Sequence, residues 1–174
     1  MTNRLPVEVN PYRLIEQRRE LSGQMEIKRF SRLDDLLADK TGSVDIKLSF
    51  AGNEVKLPTI RGLVTGDIQL VCQRCMKPFL LSLDCNIDVV LVKTDQDAER
   101  LQDSYDTWMV EDSRIFLQDF IEDEILLGIP QLVMHESCEP YRPLTEALPE
   151  DSSASDVEKK NPFSVLQQFK NPDE

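Results

Sequence analysis

Two strand-like stretches, from Ile60 to Val71 and from Phe79 to Lys93, meet at Cys72-Gln-Arg-Cys75. The first carries Leu63, Val64, Ile68 and Leu70. The second alternates Phe79, Leu81, Leu83, Cys85, Ile87, Val89 and Leu91. Apolar residues at every second position fall on one face of an extended chain. Two such runs joined by a few residues read as a long hairpin, with the C-x-x-C thiols at its turn. Whatever else the chain forms must pack around that hairpin. Cys85 lies on the apolar row and reads as a small buried side chain. Gly62 and Gly66 mark bends or bulges.

The flanking sequence supplies further strands and a few helices. Asn10-Pro11 is a helix start with proline at the first helical position, and a short helix follows through Tyr12, Leu14 and Ile15. Leu21, Gly23, Met25 and Ile27 then alternate with polar residues, as a strand does. Ser31 reads as the N-cap of a short helix with Leu33, Leu36 and Leu37, ended by Thr41-Gly42. Val44, Ile46, Leu48 and Phe50 give the cleanest period-2 signal, and Val55 and Leu57 begin another strand. Thr94–Tyr105 is acidic, with a helical turn around Ala98 and Leu101. Thr107–Val110 is a short strand holding Trp108. Asp112 or Ser113 caps the best helix, residues 113–128, whose apolar row is Leu117, Ile121 and Ile125. Gly128 and Pro130 stop it. Asp119, Glu122 and Asp123 form its acidic outer face.

These patterns give an α+β fold. An antiparallel twisted sheet or partly closed β-barrel over residues 20–110 packs with a few helices in a single domain of residues 1–138. Residues 1–19 are a basic arm with a helix. Residues 139–174 read as an acidic, mobile C-terminal tail, with Pro140, Pro143, Pro149 and the polar run 151–156. The tail ends in an apolar peptide, Asn161–Lys170, with Phe163, Leu166 and Phe169 spaced for helical turns. It either docks back or binds a partner.

The C-x-x-C can chelate a metal, act as a dithiol or simply pack. His135-Glu-Ser-Cys138 repeats its two-residue spacer, and it follows the helix stop, where a loop can fold over the hairpin tip. Cys72, Cys75, His135 and Cys138 are therefore a candidate structural zinc set. Antiparallel flanks and Pro78 argue against thioredoxin-like chemistry, which needs a helix N-terminus. The chain has one histidine and no G-x-S-x-G, Walker or dinucleotide motif, which leaves little for catalysis.

The formal net charge is −12, with a pI near 4.6. Residues 1–32 carry +3, residues 94–135 carry −9 and residues 136–174 carry −5. Such a balance weighs against a large nucleic-acid surface and favours a basic partner. The candidate partner-binding residues are Asp119, Glu122 and Asp123 on the helix, with Phe163, Leu166 and Phe169 in the tail. Candidate RNA contacts are Arg13, Arg18 and Arg19 in the arm, and Arg74 and Lys77 at the turn. The chain shows no membrane-length apolar run and no signal-peptide core, so a cytoplasmic protein with reduced thiols is expected.

Four separated blocks carry a family resemblance: Cys72-Gln-Arg-Cys75-x-Lys-Pro-Phe79, Glu122-Asp-Glu124-Ile-Leu-Leu-x-x-Pro130, His135…Cys138 and Asn161-Pro-Phe163-x-Val-Leu166. In order and spacing the chain resembles the YceD family, the large ribosomal RNA subunit accumulation proteins. The resemblance implies a bacterial cytosolic factor, not an enzyme, needed for synthesis, processing or stability of large-subunit (23S) ribosomal RNA. Joined to the charge pattern, it leads to an expectation of indirect action, in which the acidic surface receives a basic ribosomal or assembly protein of the large subunit. The alternatives are an RNA-processing or RNA-modifying enzyme, or an adaptor of another cytosolic complex.

Overall fold

The long hairpin dominates the structure, a computed structural model that describes residues 4–110 and 114–142. In chain order the elements are β1 (Glu8–Val9), α1 (Pro11–Glu16), β2 (Glu20–Glu26), two 3-10 turns (Ile27–Arg29 and Ser31–Leu33) and β3 (Leu37–Asp39). There follow β4 (Ser43–Gly52), β5 (Pro58–Val71), β6 (Pro78–Val92), α2 (Asp95–Leu101), β7 (Asp106–Met109), β8 (Ile115–Phe116) and α3 (Leu117–Gly128). β5 and β6 pair antiparallel from Thr59↔Val90 to Val71↔Pro78. β4 joins β5 along its first half, β2 joins β4, and β3 takes over beside the end of β5 at Leu70 and Gln69.

The fold is α+β, as expected, but the sheet is not closed into a barrel. Its order is β2-β4-β5-β6-β7, with β2 and β7 at the two ends. The apolar face is covered by α3 and the 3-10 segment, so the strands need not curl onto one another. Ile46, Val64 and Cys85 lie across one row of that face, and Phe50, Ile60 and Val89 across another. Leu117, Phe120, Ile121 and Ile125 of α3 join the same buried cluster, with Ile27, Phe30 and Leu33. Gly62 sits between Leu48 and Ile87, where the neighbouring strand leaves no room for a side chain. A Cβ there would stand 2.5 Å from the Lys47 carbonyl oxygen. The sheet is also not wholly antiparallel: β7 returns through α2 and pairs parallel to β6.

The local signals explain most of the elements. Asn10 caps α1 through its side-chain oxygen, which accepts from the Arg13 N–H at 3.0 Å, and Pro11 opens the helix. Thr94 caps α2 in the same way through Asp97 N–H. Three segments depart from expectation. Val55 and Leu57 begin no strand but lie in the turn that Asn53 N–H closes onto the Leu57 carbonyl, ahead of β5. The short helix after Ser31 is replaced by 3-10 turns and β3. Leu36, counted as an apolar helix position, is partly exposed, and its carbonyl accepts from the Val71 N–H at 3.0 Å. Pairing with the end of β5 satisfies backbone groups that an isolated short helix leaves bare. The 113–128 helix begins only at Leu117, because Ile115 and Phe116 pair with Val9 and Glu8, and Leu117 N–H donates to Val7 C=O. Asp112 and Ser113, the expected caps, lie outside the described residues, as does the peptide carrying Phe163, Leu166 and Phe169. No helix among the described residues is long and apolar enough to cross a membrane.

Candidate metal centre

The turn between β5 and β6 is held by two backbone bonds. Cys72 N–H donates to Lys77 C=O, and Met76 N–H donates to Cys72 C=O, both at 2.9 Å. Closing so tightly forces Met76 into the left-handed region at φ 60°. The turn presents Cys72 and Cys75 inward, both buried. Beyond α3, Ile129 is extended before Pro130, which ends the helix and sends the chain back across the tip. Val133 is buried, and its carbonyl accepts from Gln73 N–H at 2.9 Å. Past Cys138, Tyr141 N–H donates to Arg74 C=O at 2.8 Å. The returning segment is thus pinned on either side of His135 and Cys138.

That pinning brings the two pairs together. One donor atom from each of Cys72, Cys75, His135 and Cys138 lies within 4.8 Å of all the others. The Cys72 and Cys138 sulfurs are 3.9 Å apart, and Cys75 Sγ is 3.5 Å from His135 Nδ1. Zinc bonds of ordinary length at tetrahedral angles require about 3.8 Å between sulfurs and about 3.6 Å between sulfur and imidazole nitrogen. The donor set and its spacing fit zinc. When bound there, the ion would act as a cross-link between the hairpin tip and the returning segment, since four protein ligands complete its tetrahedron. A cleft of about 390 Å³ bordered by Lys77, Ser137 and Glu139 leads to the ligands.

The surroundings favour a thiolate at Cys72. Burial pushes the Cys72 thiol up, but the backbone N–H groups of Cys75, His135 and Arg74 outweigh it and bring the thiol to about 5. At Cys75 the Lys77 N–H pulls down, while burial and the neighbouring Cys72 and Cys138 sulfurs prevail and raise it. The Arg74 guanidinium donates to Cys138 Sγ at 2.9 Å and to the His135 carbonyl at 2.7 Å. With zinc bound, its positive charge would offset the net negative charge of three thiolate ligands on the ion. Phe79 meets the His135 ring edge-on, with centroids 5.3 Å apart, and fixes its plane. Cys85 stands apart against Gly128, where burial raises its thiol.

The other expected site residues fare differently. Arg74 is not a free RNA contact, because its guanidinium is committed inside the knuckle. Lys77 is exposed beside the cleft, and Arg13, Arg18 and Arg19 are exposed around α1. On the acidic face of α3 only Glu122 is buried, while Asp119 is exposed and Asp123 half-exposed. Glu122 is 2% exposed. It accepts from the Arg32 backbone N–H at 2.6 Å and pairs with Arg32 Nε at 3.2 Å. Asp123 also pairs with Arg32, and the Asp119 carbonyl accepts from the same guanidinium. Glu122 therefore belongs to the packing of α3 on the 3-10 segment, not to a docking face. Arg32, Met76 and Phe79 escaped sequence reasoning as site-shaping residues. Only Phe79, at a fixed distance behind the C-x-x-C, carried a local signal.

The family model for "Large ribosomal RNA subunit accumulation protein YceD" matches residues 60–170, a span that includes most of β5, all of β6 and α3, and all four candidate ligands. A Haemophilus influenzae protein named large ribosomal RNA subunit accumulation protein YceD is 29% identical over 172 residues, covering 96% of this chain and 97% of its own length. No solved structure matches the chain. With well over half of its length matched by the family model, the chain belongs to the YceD family.

Proposed function

We propose that this chain is a non-catalytic factor in the accumulation of large-subunit ribosomal RNA, with a structural zinc at the hairpin tip and a basic ribosomal or assembly protein of the large subunit as its partner. The observation that carries the reading is the end-to-end match to a relative named for that accumulation. The ligand set supports a scaffold role. All four tetrahedral positions are taken by side chains, and the chain's single histidine is one of them. The charge of −9 over residues 94–135 supports a basic partner. A second reading, direct contact with ribosomal RNA, is favoured by Arg13, Arg18 and Arg19. They are exposed and form no ion pair among the described residues.

The test is a tagged full-length chain recovered at low and moderate salt, with and without nuclease. Basic large-subunit proteins that stay bound after nuclease are the expected result. Large-subunit RNA that is lost after nuclease, or on changing the three arginines to glutamine, would transfer the argument to the second reading. In a host lacking the gene, the ratio of large- to small-subunit ribosomal RNA should fall and be restored by the wild-type chain. An unchanged ratio would refute the proposal.

A further inference from the structure

We propose that the groove between β7 and α3 is the docking site for a basic polypeptide segment that carries an apolar side chain between lysines or arginines. This inference rests on the docking reading above and adds where the partner sits and what it must look like.

The groove is about 440 Å³, and Val89, Trp108, Phe120 and Leu126 give it an apolar lining. Trp108 and Phe120 stack with centroids 4.5 Å apart, so the buried Phe120 ring backs the half-buried indole and holds its plane. Leu127 also lines it and is 80% exposed, a large apolar side chain left in water. Asp106, Thr107 and Trp108 all border the groove. β7 is the last strand of its sheet, so its outer edge has no strand partner among the described residues.

The rim decides the partner's charge. Asp106, Asp123 and Glu124 converge there. Asp123 shares Arg32, whereas Asp106 and Glu124 have no cationic partner among the described residues. Burial, with Asp123 and Asp106 adding to it, raises the Glu124 carboxyl above the usual carboxylate range. A cation placed at the rim relieves that crowding. A second copy of this chain, itself at −12, brings like charge, and a nucleic acid brings phosphates, so neither suits the rim. An apolar anchor flanked by cationic side chains satisfies both the lining and the rim.

Trp108 is the only tryptophan, so its emission reports occupancy of the groove in the full chain. The probe is a synthetic 13-residue peptide of alternating lysine and leucine, compared with glutamate–leucine and lysine–serine peptides of the same length. The lysine–leucine peptide should shift Trp108 emission saturably and bind at least roughly tenfold tighter than either control. Asp106→Lys with Glu124→Lys should weaken it by roughly tenfold or more, as should Leu127→Arg at its exposed position. Asp45→Lys with Asp84→Lys, on the outer face of the sheet, should leave it unchanged. Far-UV circular dichroism and a thermal transition check that each variant is folded. Equal affinity in the folded rim variants, or equal binding of the glutamate–leucine peptide, overturns the inference.

Protein of the large ribosomal subunit, freed of its RNA, separates the two levels of the argument. If a basic large-subunit protein is held alike by wild type and the Asp106/Glu124 double variant, the groove is wrong and the docking reading stands. If the peptide results hold and no large-subunit protein is retained, the groove stands and the proposed function fails.

Discussion

Loss of the metal should open the hairpin tip without dissolving the sheet. Apart from the ligands' own contacts, the returning segment is tied to the tip only through Gln73, which bonds Gln131 and Val133, and Arg74, which bonds His135, Glu136, Cys138 and Tyr141. The hairpin beneath is registered through thirteen consecutive residue pairs and backed by α3. Structural zinc binds small domains with about 10–16 kcal/mol, which is about 2.5–4 kcal/mol for each of four ligands. Cys138→Ser should then weaken zinc binding by roughly 10²–10³-fold. At fixed free zinc the same factor passes to the local opening equilibrium. Hydrogen exchange, on the variant or on wild type with a chelator, should show amides in residues 72–77 and 131–141 exchanging at least roughly a hundredfold faster. The amides of Ile60, Val64 and Ile87 in the middle of the sheet should keep their protection. Acceleration everywhere would refute the division between tip and core, and no acceleration at the tip would refute the metal. Because the ligands must shed protons to bind, zinc affinity should fall as pH falls.

Removing a partner from the buried carboxylate is expected to be costly. Arg32→Ala leaves Glu122 with a backbone N–H but no cation. The cost of stranding a buried charge, about 3–5 kcal/mol, is reduced here to about 2–3 kcal/mol by the half-exposed guanidinium, and urea unfolding reads it. Adding Glu122→Gln should recover part of that loss in a double-mutant cycle; strict additivity would mean the pair is uncoupled. At φ 60°, Met76→Gly should leave stability unchanged or raise it by about 1 kcal/mol, while Met76→Val should lower it by about 1–2 kcal/mol in thermal unfolding. The Tyr12 hydroxyl is buried with no partner among the described residues, so Tyr12→Phe should be neutral or stabilising by about 1 kcal/mol. A loss of comparable size would reveal a hydrogen bond the structure does not contain.

The hairpin was legible because alternation is a local property. Phe79 to Leu91 and Val44 to Phe50 each announce which face is buried, whatever else the chain does. The two ligand pairs were legible separately for the same reason. Their meeting across sixty residues was not dictated by spacing, and depends on where Pro130 turns the chain and where Val133 finds a pocket. Glu122 was misread because three acids on one helix normally mark water, and the cation that buries this one comes from Arg32, ninety residues earlier. The leucines after Ser31 do have helical spacing, but the uncovered end of β5 offered a better partner. The parallel return of β7 left no trace in a four-residue strand, since a parallel and an antiparallel edge have the same alternation. The groove beside it was invisible for a related reason: Trp108 and Phe120 come from different elements, and only packing stacks them.

The central claim is that the knuckle is structural and that His135 serves as a ligand, not as an acid or base. The direct measurement is large-subunit ribosomal RNA in a host lacking the gene, supplied with His135→Cys. Zinc accepts four cysteines as readily as three and a histidine. The account predicts one zinc per chain in the purified variant and restored RNA levels, with His135→Ala restoring neither. A folded, zinc-loaded His135→Cys chain that fails to restore the RNA would contradict it, since the imidazole would then be doing chemistry that a thiolate ligand cannot replace.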